Sequence, residues 1–291
     1  MRGPVRTAAP GPGGIVTVVC LLIALSRVVP GVPLLVAANR DELYARAAEP
    51  ITVLRGERPR ILGGRDKVAG GTWLAVNSDG VLAGLTNQPA AGRDATRRSR
   101  GELPLAFAAY PDAATAVAQV CARLNPADYN PGWLLVGDRH TLFSIGMAHG
   151  PRPVVEELPP GCYVLENAPL RRGSAKQRRV AMLVEAALAA GGGQDQAAAL
   201  AAVLRDHEPA AGPQPAPPGG LPRPAELSAA CVHTGAYGTR SAMIVTVAAA
   251  GLPGLRVAAG APCTAPLQDM AGLWGGRAPV PAPARVVPGD C

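Results

Sequence analysis

At 291 residues, with 48% hydrophobic side chains, the chain is long enough to bury a substantial core, which excludes a disordered or fibrous class. Its formal net charge of +7 sits partly in two arginine-rich stretches, 93–100 (RDATRRSR) and 171–179 (RRGSAKQRR). Aromatics are only 3% and none interleaves with these arginines, so a nucleic-acid surface is not indicated; solvated loops and helix ends are the plainer reading, with an acidic ligand or membrane surface as the other use of the charge.

Residues 1–18 have no hydrophobic periodicity in their Gly- and Pro-rich first part and read as a disordered extension. The apolar run Ile15–Ala38 is interrupted by Arg27, Pro30, Gly31 and Pro33, so it does not supply the ~20 uninterrupted apolar residues of a membrane span. Arg2 and Arg6 followed by Ile15–Leu25 make an imperfect secretory signal, and Cys20 follows Val19 rather than the small residue of a lipoprotein site. Six cysteines (Cys20, Cys121, Cys162, Cys231, Cys263, Cys291) are scattered without a CxxC, and His140, His149, His207 and His233 lack metal-ligand spacing. The expectation is a reducing, cytoplasmic setting with mostly buried thiols, no metal and no cofactor.

Val16–Ser26 and Val32–Ala38 read as two strands joined at Pro30-Gly31, the second ending on Asn39-Arg40-Asp41-Glu42. Gly70–Val76 and Val81–Thr86 flank the turn Asn77-Ser78-Asp79-Gly80, the clearest hairpin signal, and its return strand delivers Asn87. Leu103–Leu124 is helical with a break near Pro111; Trp133–Val136 and Thr141–Ile145 form another hairpin; Cys162–Leu165 is a short strand ending on Glu166-Asn167. Lys176–Ala190 is an amphipathic helix, with Val180, Leu183, Val184, Ala187 and Leu188 on one face, and Gln194–Arg205 is a second. After the Pro-rich loop 207–224, Ala230–His233, Thr239–Ala248 and Leu255–Ala259 read as strands, and 274–291 as a disordered tail. Hairpins, then helices, then hairpins suit two antiparallel sheets packed face to face with helices outside, an α+β sandwich in one domain over 19–273.

From Ala37-Ala38-Asn39-Arg40-Asp41-Glu42 onward the chain resembles the NRDE family, also called transport and Golgi organisation protein 2. The resemblance continues in order through Gly70-Gly71-Thr72-Trp73-Leu74, Leu85-Thr86-Asn87, Arg100-Gly101-Glu102-Leu103, Leu165-Glu166-Asn167-Ala168 and Tyr237-Gly238-Thr239-Arg240, so it covers about Cys20 to Leu273. Family members begin Met-Cys. A GTG start at Val19 would make Cys20 second and residues 1–18 an artefact of start-site assignment. The family is in turn similar to N-terminal nucleophile hydrolases, which implies a four-layer αββα sandwich.

That resemblance implies an amidohydrolase acting on a linear amide or N-acyl small molecule, with Cys20 as nucleophile and its own α-amine as base. Arg40 would favour the thiolate, Asp41 or Glu42 would hold the α-ammonium, and Asn87 would donate to a developing oxyanion. Asn167 and Arg240 complete the expected catalytic set, while Asn39, Glu42, Thr72 and Trp73 are candidates for binding. Plainer roles stand beside these: Cys20 as a buried strand thiol, Asn39–Glu42 as a capped turn, Thr72 and Trp73 as turn and core, Asn87 and Asn167 as turn residues, Gly238–Arg240 as a turn with an ion pair. The alternative function is a non-catalytic protein that binds or traffics an amphipathic ligand such as haem or a lipid, although no CxxCH haem motif is present. A third use of the same strand ends is to bind a protein partner.

Overall fold

The structure, a computed structural model, describes residues 20–88, 94–147, 150–170, 173–190, 195–212 and 225–275. The expected extension 1–18, most of the Pro-rich loop and nearly all of the tail lie outside the described residues. In chain order, β1 (Leu21–Val29) and β2 (Val32–Leu43) form a hairpin, followed by β3 (Ala48–Arg55), β4 (Ile61–Asp66), β5 (Leu74–Asn77) and β6 (Leu82–Asn87). Helices α1 (Glu102–Phe107) and α2 (Ala113–Cys121) precede β7 (Gly132–Gly137), β8 (Leu142–Gly146), β9 (Val154–Glu157) and β10 (Gly161–Leu165). Then come α3 (Ala175–Ala190), α4 (Gln196–Leu204), β11 (Tyr237–Val247), β12 (Gly254–Ala258) and β13 (Gln268–Asp269).

Two antiparallel sheets result. The first has the order β10-β1-β2-β11-β12-β13 and the second runs β3 through β9 in sequence. Strand alternation splits the apolar residues of β1 and β2 between two faces. Leu22, Ala24, Leu34, Val36 and Ala38 meet Leu62, Leu74, Val76, Leu82 and Leu135 of the second sheet. Leu21, Ile23, Leu25, Leu35 and Ala37 instead pack under Val180 and Val184 of α3 and Leu200 and Leu204 of α4. On the far side, Phe107, Ala116 and Val117 of α1 and α2 cover Ala83, Leu134 and Val136. The layers are therefore helix, sheet, sheet, helix, the expected αββα sandwich. Asp112 starts α2 by accepting from the Thr115 amide at 2.7 Å, and Asp195 starts α4 by accepting from Ala197 at 3.0 Å.

Three differences from the sequence reading matter. The second strand does not stop at Ala38: β2 runs to Leu43, so Asn39–Glu42 is strand interior rather than a strand-end cluster, because β11 pairs with it through Tyr237↔Leu43. Four polar residues in a row resemble a terminator only when the pairing of the neighbouring strand is unknown. Secondly, Ala230–His233 is not a strand. The Cys231 amide donates to the Asp206 carbonyl at 2.8 Å and the Val232 amide to Thr239 Oγ1 at 2.9 Å, so the segment is irregular apart from a single bridge, His233↔Gly238. Thirdly, the described thiols are not mostly buried: Cys20 and Cys231 are, Cys121 and Cys263 are half-buried, and Cys162 is exposed. Strands β3, β4 and β9 arise in stretches the sequence reading leaves unassigned.

Candidate active site around Cys20

Cys20 immediately precedes β1, and the registers of its two neighbours place specific residues beside it. Leu21 pairs with Asn39 across β2, one step from Cys20 and Arg40, and Leu22 pairs with Leu165, the last residue of β10, two residues before Asn167. Arg40 pairs onward with Ser241 of β11. Arg40 thus lies between Cys20, just before β1, and Ser241 of β11. Period-two alternation gives Cys20 and Arg40 the face of Leu22 and Ala38, between the two sheets.

The second sheet closes over these residues. A Cβ on Gly84 would lie 2.2 Å from Leu22 Cδ2, so β6 crosses directly above β1 only because residue 84 has no side chain. Three residues further along β6, the Asn87 carbonyl accepts from Asn167 Nδ2, joining the end of β6 to the segment just after β10. Close backbone approach also accounts for the glycines of two motifs: a Cβ on Gly71 would meet the Gly101 carbonyl carbon at 2.5 Å, while the Thr72 amide donates to the Gly101 carbonyl at 2.8 Å.

Because Asn39–Glu42 lies in a strand, its four side chains divide between two faces. Arg40 and Glu42 face the second sheet. The Arg40 guanidinium lies 3.7 Å from Glu42 Oε2 and 3.9 Å from Asp66 Oδ2, and Arg46 bonds Asp66 at 2.8 Å and approaches Glu42 at 3.6 Å. Burial pushes Asp66 up, but the Arg46 hydrogen bond and the amides of Ala69 and Val68 outweigh it and hold the carboxyl below its usual range. Asn39 faces the helices, where Nδ2 donates to the carbonyls of Leu204 at 2.9 Å and Ala230 at 2.8 Å.

Asp41 shares the helix-side face and is fully buried. Thr239 Oγ1 donates to Asp41 Oδ1 at 2.5 Å, and Oδ2 is buried without a hydrogen-bond partner among the described residues. Burial pushes its pKa up to about 7, against the lowering effects of Lys176, the Thr239 hydroxyl and Arg40. Lys176, at the start of α3, is itself only 1% exposed, an unusual place for a lysine, and its Nζ donates to the Leu227 carbonyl at 3.4 Å.

The Cys20 thiol is buried, with Sγ 3.9 Å from the Asp41 carbonyl oxygen. Burial, reinforced by the charge of Asp41, pushes it up to about 12. Arg40 acts in the expected direction but is the smaller influence. With its nitrogen in peptide linkage, Cys20 is therefore a protonated thiol at neutral pH.

Of the expected residues, then, Cys20, Arg40 and Asp41 are brought together, and Asn87 and Asn167 are tied to each other. Glu42 joins through Arg40. Thr72 is a register residue, Oγ1 donating to the Leu74 carbonyl at 2.9 Å, and Trp73 belongs to the inter-sheet core with a buried Nε1 that has no hydrogen-bond partner among the described residues. Arg240, at the irregularity between Thr239 and Ser241, donates to the carbonyls of Leu43 and Arg46 and so braces the turn after β2. Sequence reasoning missed Asp66, Arg46, Thr239 and Lys176. Thr239 stood inside a quoted motif, whereas nothing in the helical pattern of Lys176 distinguishes it from a solvated lysine.

The Transport and Golgi organisation 2 family profile matches residues 19–253. The chain belongs to that family. Human Transport and Golgi organization protein 2 homolog is 32% identical over 234 residues, 75% of this chain and 83% of the human protein; the Bos taurus homolog is 32% identical over 236 residues with the same coverage. Among solved structures, a mutant conjugated bile acid hydrolase from Clostridium perfringens superposes with a TM-score of 0.54 at 11% identity, covering 87% of this chain and 93% of that one. A second variant of the same hydrolase gives 0.51 at 11% identity, covering 82% and 89%. This member of the Transport and Golgi organisation 2 family thus has the N-terminal nucleophile hydrolase fold. Among the described residues no helix is long and apolar enough to cross a membrane.

Proposed function

We propose that this protein is an N-terminal nucleophile amidohydrolase that cleaves a linear amide or N-acyl small molecule through Cys20, in a reducing compartment such as the cytoplasm. The observation that carries this reading is Cys20 beside Arg40 and next to Asp41, whose buried Oδ2 has no hydrogen-bond partner among the described residues. The fold shared with proteins named as hydrolases supports it. In peptide linkage the Cys20 nitrogen is an amide and holds no basic lone pair. Freed, an α-amine with an ordinary value near 8 takes the Sγ proton at neutral pH.

The thiolate then attacks the substrate carbonyl; the S–C bond forms as the C=O π pair moves onto oxygen, and the Asn87 amide donates to that oxyanion. Asn167, which binds the Asn87 backbone, is a positioning residue for it. The α-ammonium returns its proton to the leaving nitrogen as the C–N bond breaks, and water cleaves the resulting thioester with the amine again as base. Asp41 Oδ2 receives the ammonium, and Arg40 biases the thiol toward its thiolate.

The test is to express the chain from Met-Cys20, verify methionine removal by intact mass, incubate it with a panel of N-acyl amines and quench in acid. A mass increment of one acyl group on Cys20 is expected from the released form and none from the full chain. No acyl adduct and no amine release from any panel member would contradict the reading.

The protonated Cys20 of the peptide-linked chain favours a second reading for that form: non-catalytic holding of an amphipathic ligand such as haem or a lipid. Titration with haem followed by absorbance tests it, with saturable binding retained in Cys20→Ser as the expected result.

A further inference from the structure

Outside the Cys20 site, on the helix side of the first sheet, four potential ligands converge: His207, Cys231, His233 and Cys263 each offer one atom, and these atoms all lie within 4.8 Å of one another. The sulfurs of Cys231 and Cys263 are 3.8 Å apart, and His233 Nε2 is 3.6 Å from the first and 3.3 Å from the second. A tetrahedral zinc ion with Zn–S near 2.3 Å and Zn–N near 2.0–2.1 Å requires separations of about 3.8 Å between sulfurs and about 3.6 Å between sulfur and nitrogen. The spacing also exceeds the ~2.05 Å of a disulfide, so the two thiols stand apart as a ligand pair rather than as a bridge. We propose that His207, Cys231, His233 and Cys263 form a tetrahedral two-thiolate, two-imidazole site for Zn²⁺.

The surroundings fit that assignment. His233 Nδ1 lies 3.3 Å from the Tyr44 hydroxyl, and His207 Nδ1 lies 3.2 Å from the Cys231 carbonyl. The carbonyl is an acceptor only, so it holds His207 in the Nδ1–H tautomer with the other nitrogen unprotonated; an Nδ1–H donated to Tyr44 does the same for His233. This outer-shell pattern orients metal-binding histidines. Tyr44 reaches His233 only because residue 238 is glycine: a Cβ there would lie 2.2 Å from the Tyr44 hydroxyl oxygen and 2.5 Å from the Val232 carbonyl oxygen.

The three chain segments are also fastened independently of any ion. Arg205 Nε donates to the Pro262 carbonyl at 2.9 Å, beside Cys263, and the Cys231 amide donates to the Asp206 carbonyl at 2.8 Å, beside His207. The ligands are thus preorganised at the end of α4, in the segment before β11 and in the loop after β12. Four protein ligands leave no open position, so the site is structural: it clips loops that lack regular secondary structure. On binding, the two thiols release two protons and the neutral imidazoles give up none, which leaves an electrically neutral centre. Apart from Cys231 and His233, two positions apart, sequence spacing does not reveal it, because His207 lies 24 positions before Cys231 and Cys263 lies 30 after His233.

The test uses the full chain purified under reducing conditions. Elemental analysis is expected to find about one zinc per chain, and cobalt exchange to give the intense visible bands and thiolate charge-transfer absorption of a tetrahedral S₂N₂ site. Cys263→Ser should lose the metal and the charge-transfer intensity, whereas Cys121→Ser, on α2, keeps both. His207→Gln, at an exposed position, covers the case in which Cys263→Ser fails to fold: it should weaken zinc retention against a chelator at least about tenfold. A metal-free protein that does not take up added zinc, a cobalt spectrum without thiolate absorption, or an intact mass two hydrogens low from a Cys231–Cys263 disulfide would each overturn the assignment.

Discussion

The two cysteine centres lie on opposite faces of the same sheet and are built in opposite ways. Cys20 stands at the start of a paired strand, next to the register Leu21↔Asn39 that brings Arg40 beside it. Cys231 and Cys263 sit in irregular segments held by isolated backbone bonds. The first is a lone buried thiol among charges, pushed up to about 12 and in need of a base; the second is a cluster of soft donors at separations that suit a dication. Strand pairing gives the exact placement that chemistry requires, while loops gather ligands from distant parts of the chain for binding. Asp41 stands between them: Thr239 Oγ1, which donates to it, also accepts the Val232 amide beside Cys231.

The sharpest way to separate the centres is Asn87→Ala in the form with a free Cys20 amine. Loss of one oxyanion donor is expected to lower kcat about 10²- to 10³-fold while zinc content stays unchanged, measured by amine release and elemental analysis. A parallel loss of zinc would join the two sites.

A smaller effect follows from Asp41. Its carboxyl titrates near 7 in the folded chain against 3.8 when exposed. Between those values the folded state binds one proton more than the unfolded state. The stabilisation this provides is present in full below 3.8 and is lost as pH rises through about 7, at up to about 1.4 kcal/mol per pH unit. Lys176, Arg40, the Tyr44 hydroxyl and the Cys20 and Cys231 thiols are titratable groups that interact with it. Urea unfolding of the peptide-linked chain and of Asp41→Asn between pH 4 and 7.5 should differ by that slope, with the variant flatter. A free α-ammonium on Cys20 should flatten it as well, because the added positive charge lowers Asp41.

The same contrast explains what was legible in the sequence. The sandwich could be read because alternation in β1, β2 and β5–β8 and the apolar face of α3 are local patterns, and the Cys20 site because its residues fall in short contiguous motifs. The division of Asn39–Glu42 between two faces was not legible, since it depends on β11 extending the pairing to Leu43. Lys176 looks like any first-turn lysine until α3 is packed on the sheet. Of the proposed zinc ligands only Cys231 and His233 are neighbours in sequence; the folded path of the chain after α4 and β12 brings His207 and Cys263 to them.

The central claim is that the reactivity of Cys20 is set by its own α-amine. Competitive alkylation with iodoacetamide at pH 7, mapped by peptide mass spectrometry, measures this on both the full chain and the form released at Cys20. Cys20 is expected to label about tenfold faster or more than Cys121 and Cys162 in the released form, and to be among the slow thiols in the full chain. Equal labelling of Cys20 and those two cysteines after release would contradict the account.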